Sequence, residues 1–375
     1  MKPHRYLTNL LFLLPVLLSA QPLFLGSADR EGAAGLYLTE FDAATGVLSE
    51  PRRLTETQPF FFQLSQDGKF LYASGHEGSS DTPAVLRSYV VETDHSLRLI
   101  DTRAFAGRIP LHLVLSKDNR FAVVANYLTP TAVTIPLRPN GYLGPIAAEV
   151  TLTGSSIHPE RQDHSYPHSV NLSPDDRYAY VADRGTDRLG AYAFDTETGK
   201  LTPLKRPITA RPGAGPRHLS WHPDGTRTYV INEINGSLTP YTYDATTGHL
   251  TEGPGYPTLA TDDTTTNFSA EVKVHPNGRF VYATNRGPNT IAVFAVSDGD
   301  HLERIQIIPT GGDHPRYMVI DPSGNWLIVC NRFAHRVNVF ALDPTTGLLT
   351  ATEHGLDFPN PTDLKFAPSG AKHNK

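Results

Sequence analysis

Three pairs of residues in this 375-residue chain stand sixteen positions apart and carry side chains suited to chemistry: His168 with Arg184, Arg217 with Glu233, and Arg316 with Arg332. Each pair straddles a tight turn, centred on Asp176, Gly225 and Gly324, and Arg286 follows Gly278 at the same distance, opposite Ala270. Residues equidistant from a hairpin turn are cross-strand neighbours, so all seven polar residues should gather at one end of their hairpins. Guanidinium forks bind carboxylate or phosphate through paired hydrogen bonds. A carboxylate beside Arg217 stays ionised and is placed to act as a general base on water. His168 is a partner acid or base near neutral pH, and arginines beside a carbonyl stabilise a developing oxyanion. The set therefore predicts an anionic small-molecule ligand with proton-transfer chemistry attached. The competing explanation is a salt-bridge network, which one carboxylate among five arginines does not complete.

The elements that must position these residues recur along the chain. Turns read Ser65-Gln-Asp-Gly, Ser116-Lys-Asp-Asn, Ser173-Pro-Asp-Asp, His222-Pro-Asp-Gly, His275-Pro-Asn-Gly, Asp321-Pro-Ser-Gly and Ala367-Pro-Ser-Gly, with first residues 51, 57, 49, 53, 46 and 46 positions apart. A second turn signal, as in Asp42-Ala-Ala-Thr-Gly46, Asp195-Thr-Glu-Thr-Gly199, Asp244-Ala-Thr-Thr-Gly248 and Asp343-Pro-Thr-Thr-Gly347, joins outer strands. Four short antiparallel strands per repeat of about 50 residues make a propeller blade. The last repeat offers only Pro361-Thr-Asp-Leu-Lys-Phe-Ala367 before its turn, and Pro22-Leu-Phe-Leu-Gly26 reads as its missing second strand. The expected fold is thus all-β, a seven-bladed propeller of four-stranded antiparallel blades, closed by pairing the N- and C-terminal strands so that no edge stays open. Innermost strands line the central channel, so the seven polar residues should converge on one rim. The equivalent positions in the first two blades are Phe60, His76, Leu111 and Tyr127. Those blades and the last are expected to contribute mainly structure.

With 39% apolar and 19% charged residues the composition is that of an ordinary globular protein, and a net charge of −5 argues against a nucleic-acid partner. Lys2, His4 and Arg5 precede an apolar run from Leu10 to Leu18 and then Ser19-Ala20, the pattern of a secretory signal. Residues 1–20 are therefore expected to be removed, leaving a propeller over 21–375 that is periplasmic or secreted, monomeric and without a membrane partner. The only cysteine, Cys330, lies in an apolar strand and reads as a buried structural thiol. The chain contains no Gly-x-Ser-x-Gly elbow, Walker-type loop or His-Glu-x-x-His. The longest insertion on the rim side, residues 154–164, carries His158 and His164 in no familiar ligand spacing. It is expected to close over substrate, with neither metal nor cofactor at the site.

Several of these residues lie in motifs. Pro-Glu-Arg-Gln (159–162) leading to Pro-His-Ser-Val (167–170), Gly-Ala-Gly-Pro-Arg-His-Leu (213–219), Asn-Glu-Ile-Asn (232–235), Ala-Glu-Val-Lys-Val (270–274), Thr-Asn-Arg-Gly (284–287) and His-Pro-Arg-Tyr (314–317) resemble the seven-bladed lactonase family. That family includes propeller-type 6-phosphogluconolactonases and fungal carboxymuconate-lactonizing enzymes. The resemblance runs from about residue 22 to the C-terminus. It implies His168, Arg217, Glu233 and Arg286 as catalytic residues, and metal-independent hydrolysis or formation of a sugar- or muconate-type lactone. Arg184, Arg316, Arg332 and Glu271 are expected to bind substrate; Arg184 sits where many relatives carry an apolar residue. An exported enzyme would not meet 6-phosphogluconolactone, which is made in the cytoplasm, so the leading expectation is hydrolysis of an anionic sugar-type lactone. The alternatives are a non-catalytic ligand-binding propeller and a lactone-forming cycloisomerase.

Overall fold

The repeated turns work through one backbone requirement. Their fourth residue takes a positive φ, +69° at Gly68, +58° at Asn119, +56° at Asp176 and +71° at Gly225, so only glycine or a short Asn or Asp fits there comfortably. In the first three turns a serine hydroxyl accepts the amide of the residue that opens the next strand, Phe70, Phe121 or Tyr178. Each turn thereby starts a strand at a fixed position.

The computed structural model describes residues 20–29, 31–78, 82–297 and 301–368. They form seven antiparallel sheets arranged as blades, with no helix among them. The innermost strands, in chain order, are Phe61–Leu64, Pro110–Leu115, Pro167–Leu172, Pro216–Trp221, Phe268–Val274, Pro315–Ile320 and Pro361–Phe366. Blades are numbered one to seven in that order. In blades three, four and seven the outermost strand is broken into two short pieces that both pair with the third strand. The secretory-signal expectation falls on residues 1–20, nearly all of which lie outside the described residues.

Ring closure is as the repeat count requires. Gln21–Ser27 pairs on one side with Gly35–Asp42 and on the other with Pro361–Phe366, placing Leu25 opposite Leu364 and Leu23 opposite Phe366. The core lies between blades. The glycines that end the outer turns, Gly46, Gly199, Gly248 and Gly347, lie against the aromatic ring opening the second strand of the preceding blade: Trp326, Phe121, Tyr178 and Phe280. A Cβ at Gly248 would stand 2.3 Å from the Tyr178 ring, on a backbone already at φ +71°. Hydroxyls of buried Tyr180 and Tyr282 then donate to the carbonyls of Gly248 and Gly347. Cys330 is buried in Trp326–Asn331, and burial pushes its thiol pKa up, as a structural cysteine requires.

Candidate active site

The channel-facing residues reach the mouth through β-bulges. In blade three Pro167 pairs with Asp183 and Ser169 with Ala182, leaving His168 as the extra residue. Arg217 is the extra residue between Pro216 and His218, and Arg316 between Pro315 and Tyr317. Leu111 and Thr362 occupy the same place in blades two and seven. A bulge residue has no partner in the ladder, and its side chain is re-aimed. This corrects the simple hairpin count: Arg217 and Glu233 share an end of the hairpin but are not register partners, and Arg286 stands opposite Phe268 rather than Ala270.

Glu233 is the hub. One carboxylate oxygen lies 2.7 Å from Arg161 and 3.1 Å from Arg184; the other lies 2.9 Å from Arg286, 3.2 Å from Arg217 and 4.0 Å from His168 Nε2. Glu233 is 2% exposed and Arg217 1%. Burial pushes the Glu233 carboxyl up, but Arg286, Arg217, Arg184 and Arg161 together outweigh it and hold the group well below the usual carboxylate range. His168 is pushed the other way from a charged imidazolium: burial, then Arg217, His218 and Arg316, lower its pKa well below 6.5, so the ring is neutral at pH 7. Its Nδ1 is buried without a hydrogen-bond partner among the described residues.

The cavity above these groups measures about 330 Å³. His168, Arg184, Glu233, Arg286, Arg316 and Arg332 all line it, so the structure brings six of the eight sequence-predicted site residues to one cavity; Arg217 does not line it but lies 3.2 Å from Glu233. Arg332 donates from Nε to Asn360 Oδ1 at 3.0 Å. Arg316 has no ion pair or hydrogen bond among the described residues, and burial with Arg217, Arg332 and Arg286 around it depresses its pKa. A guanidinium remains charged even so, which leaves Arg316 as a cation facing the cavity with only the more distant Glu233 carboxylate to offset it. The lining also includes Phe60, Ile109, Leu111, Tyr127 and Thr362, with the Tyr127 ring against His168 and Arg184. Blades one, two and seven therefore line the site, which corrects the expectation that they contribute mainly structure.

Glu271 is placed elsewhere. Its carboxylate accepts from His218 Nδ1 at 2.9 Å and Lys273 Nζ at 3.0 Å, and it does not line the cavity. Together with His112, Tyr317, Asp363 and Lys365 it forms a buried polar layer inside the channel, where the Lys365 ammonium bonds Asp363 and the Tyr317 hydroxyl, each at 2.6 Å. The reason is the bulge in blade five: it spans both Ala270 and Glu271, so the glutamate takes the inner position.

Two residues were missed by sequence reasoning. Arg161, the arginine of Pro-Glu-Arg-Gln, stacks over Phe268 at 4.0 Å and reaches Glu233 from the 154–164 insertion. Asp187 ties that insertion down. Its Oδ1 accepts Gln162 Nε2 at 2.7 Å and the Gly215 amide at 2.6 Å, while Oδ2 accepts the Ser156 hydroxyl and the Gly213 amide. Gly213 and Gly215 take φ of +81° and +69°, which turns both amides toward the one carboxylate and explains the two glycines ahead of Arg217. The motif around Arg161 was a usable signal; nothing local marks Asp187. His158 and His164 do not converge: His164 stacks on Tyr166 and pairs with Asp163, and no group of three His, Cys, Asp or Glu suited to a metal occurs among the described residues.

A closed ring of seven four-stranded blades, with a guanidinium-lined cavity around one carboxylate at one end of its channel, defines the class of fold, a seven-bladed propeller. The family described as lactonase, 7-bladed beta-propeller, matches residues 22–366, and the chain belongs to it, as a carboxylic ester hydrolase acting on lactones. The 6-phosphogluconolactonase of Formosa agariphila is 31% identical over 337 residues, covering 87% of this chain and 94% of that protein. The 6-phosphogluconolactonase of Bacillus subtilis is 28% identical over 345 residues, covering 92% and 97%. The solved structure of the periplasmic gluconolactonase of Pseudomonas aeruginosa superposes with a TM-score of 0.87 at 25% identity, over 93% of this chain and 99% of that one.

Proposed function

We propose that this enzyme hydrolyses an anionic sugar-type lactone at the cationic mouth, outside the cytoplasm and without a metal. The observation that carries the reading is the excess of guanidinium groups over carboxylate at the cavity, with Arg316 lacking any anion of its own. An acidic sugar lactone supplies the missing charge and, once opened, a second carboxylate. The amino-terminal sequence pattern and the likeness to a periplasmic gluconolactonase support export.

The pKa directions divide the labour. A carboxylate held as low as Glu233 is a poor proton acceptor at neutral pH. Its part is to hold Arg161, Arg184, Arg217 and Arg286 in one array, fixed before substrate arrives, against which the oxyanion of the attacked carbonyl develops. Neutral His168 takes the proton from the attacking water and returns it to the ring oxygen as the ester opens. The test is acid release in a pH-stat from gluconolactone, its 6-phosphate and muconolactones. Glu233→Gln is expected to lower kcat/KM at least about 100-fold, on the scale of losing a transition-state donor array. His168→Gln, which removes no charge at pH 7, is expected to abolish turnover while leaving binding of sugar acids in place. Normal turnover in either variant would overturn the assignment.

A further inference from the structure

A groove of about 600 Å³ leads from the mouth across blade one, sharing Gln58, Phe60, Ile109 and Arg332 with the 330 Å³ cavity. Its charge differs from that of the mouth. Where the mouth sets a cluster of arginines around one glutamate, the groove sets Glu56 and Glu77 against Arg87 and Arg332, close to balance. Two carboxylates disfavour a second anion there and are good acceptors for hydroxyl donors.

The floor of the groove is built rather than incidental. Arg87 is 8% exposed and donates from Nη2 to the His76 carbonyl at 2.6 Å. It crosses the second strand because residue 75 is glycine: a Cβ there would stand 2.9 Å from Arg87 Nη1 and 3.0 Å from the Gln58 carbonyl. At the junction with the mouth, the Phe60 ring meets His76 edge-on at 5.1 Å and stands beside Ile109. An aromatic face flanked by hydrogen-bonding groups suits the apolar face and hydroxyl rim of a sugar ring. A single lactone ring is accommodated by the mouth and leaves this larger neutral space unused.

We propose that the groove is a glycosyl subsite, so that the preferred substrate carries a second, neutral sugar on its lactone unit: lactone unit in the cationic mouth, second sugar against Phe60 and between Glu56 and Glu77. The inference rests on the mouth being a lactone site. The experiment therefore reads binding and turnover separately on the full chain. By calorimetry, lactobionate is expected to bind about tenfold more tightly than gluconate. Glu77→Trp, which fills the groove outside the mouth, is expected to erase that advantage while gluconate binding and gluconolactone hydrolysis stay unchanged. Glu56→Trp is the second variant, for the case in which the first fails to fold. In turnover, lactobionolactone is expected to exceed gluconolactone in kcat/KM in the wild type only. Equal or weaker binding of lactobionate, or an advantage that survives both variants, overturns the subsite. Tighter lactobionate binding without turnover of any lactone upholds the subsite and overturns the hydrolase reading instead.

Discussion

Two buried side chains at the mouth have moved in opposite electrostatic senses for related reasons. Burial first keeps His168 neutral, and Arg217 and Arg184, which help to hold Glu233 ionised, add to it, because each disfavours a further positive charge and favours a negative one. The kcat/KM profile is accordingly expected to lack an acid limb near pH 6.5; the limb lies well below it, and an inflection at the ordinary histidine pKa would remove His168 as the base. Arg316 makes the matching prediction for binding. With no protein anion to release, it contributes to substrate attraction alike in ground and transition states, so Arg316→Ala is expected to raise KM about tenfold with kcat nearly unchanged. The side-chain types and the rim they share were legible because a tight turn is a local object and residues counted from it keep their end of the hairpin. The one-residue offsets were not legible. A bulge is selected by what the side chain meets across the channel, and His168 and Arg286 meet Glu233 from blades other than its own.

The 154–164 insertion acts as a strap rather than a free flap. Arg161 joins it to Glu233, 72 residues away in sequence, and Gln162 and Ser156 fasten it to Asp187. Asp187→Asn is expected to weaken four bonds at once without touching the cavity. The measurable outcome is a rise in KM together with a loss of about 1–3 kcal/mol of stability, the scale of leaving buried donors imperfectly paired. An unchanged melting temperature would show that Arg161 and the bonds between the insertion and Arg184 hold the strap without Asp187. The outer turns were readable from the Asp-to-Gly spacing, but their purpose was not: each glycine is needed because a neighbouring blade's ring lies over it, as Tyr178 lies over Gly248. Such a contact joins residues about 70 positions apart, beyond the reach of any local pattern; the Tyr178 hydroxyl bond to Thr246 spans 68.

Across the ring, buried and half-buried histidines couple stability to pH. His112, His168, His218 and His314 all have folded pKa values below 6.5, with His218 lowered to about 4 and His314 to about 3, burial being the first cause in each. The unfolded chain therefore binds protons first, so their contribution is complete above pH 6.5 and is lost as pH falls toward those folded values. Glu233 and Glu271 are also depressed, and their contribution is lost only below the ordinary carboxylate range. The melting temperature is expected to hold above pH 7, decline in one stage below pH 6.5 and fall again below about pH 4; a maximum at pH 5 would contradict this. The seam in blade seven bears on how the enzyme comes into being. Thr362 bonds the Gly26 carbonyl across 336 residues, and Ala28 and Thr362 both line the cavity. The Gln21–Ser27 strand cannot pair with Pro361–Phe366 until both are made, so completion of the cavity is expected late in folding, gated by the closure of a very long loop. A circular permutant opened between blades, with the old ends joined, would mature faster than the natural chain while having the same active site.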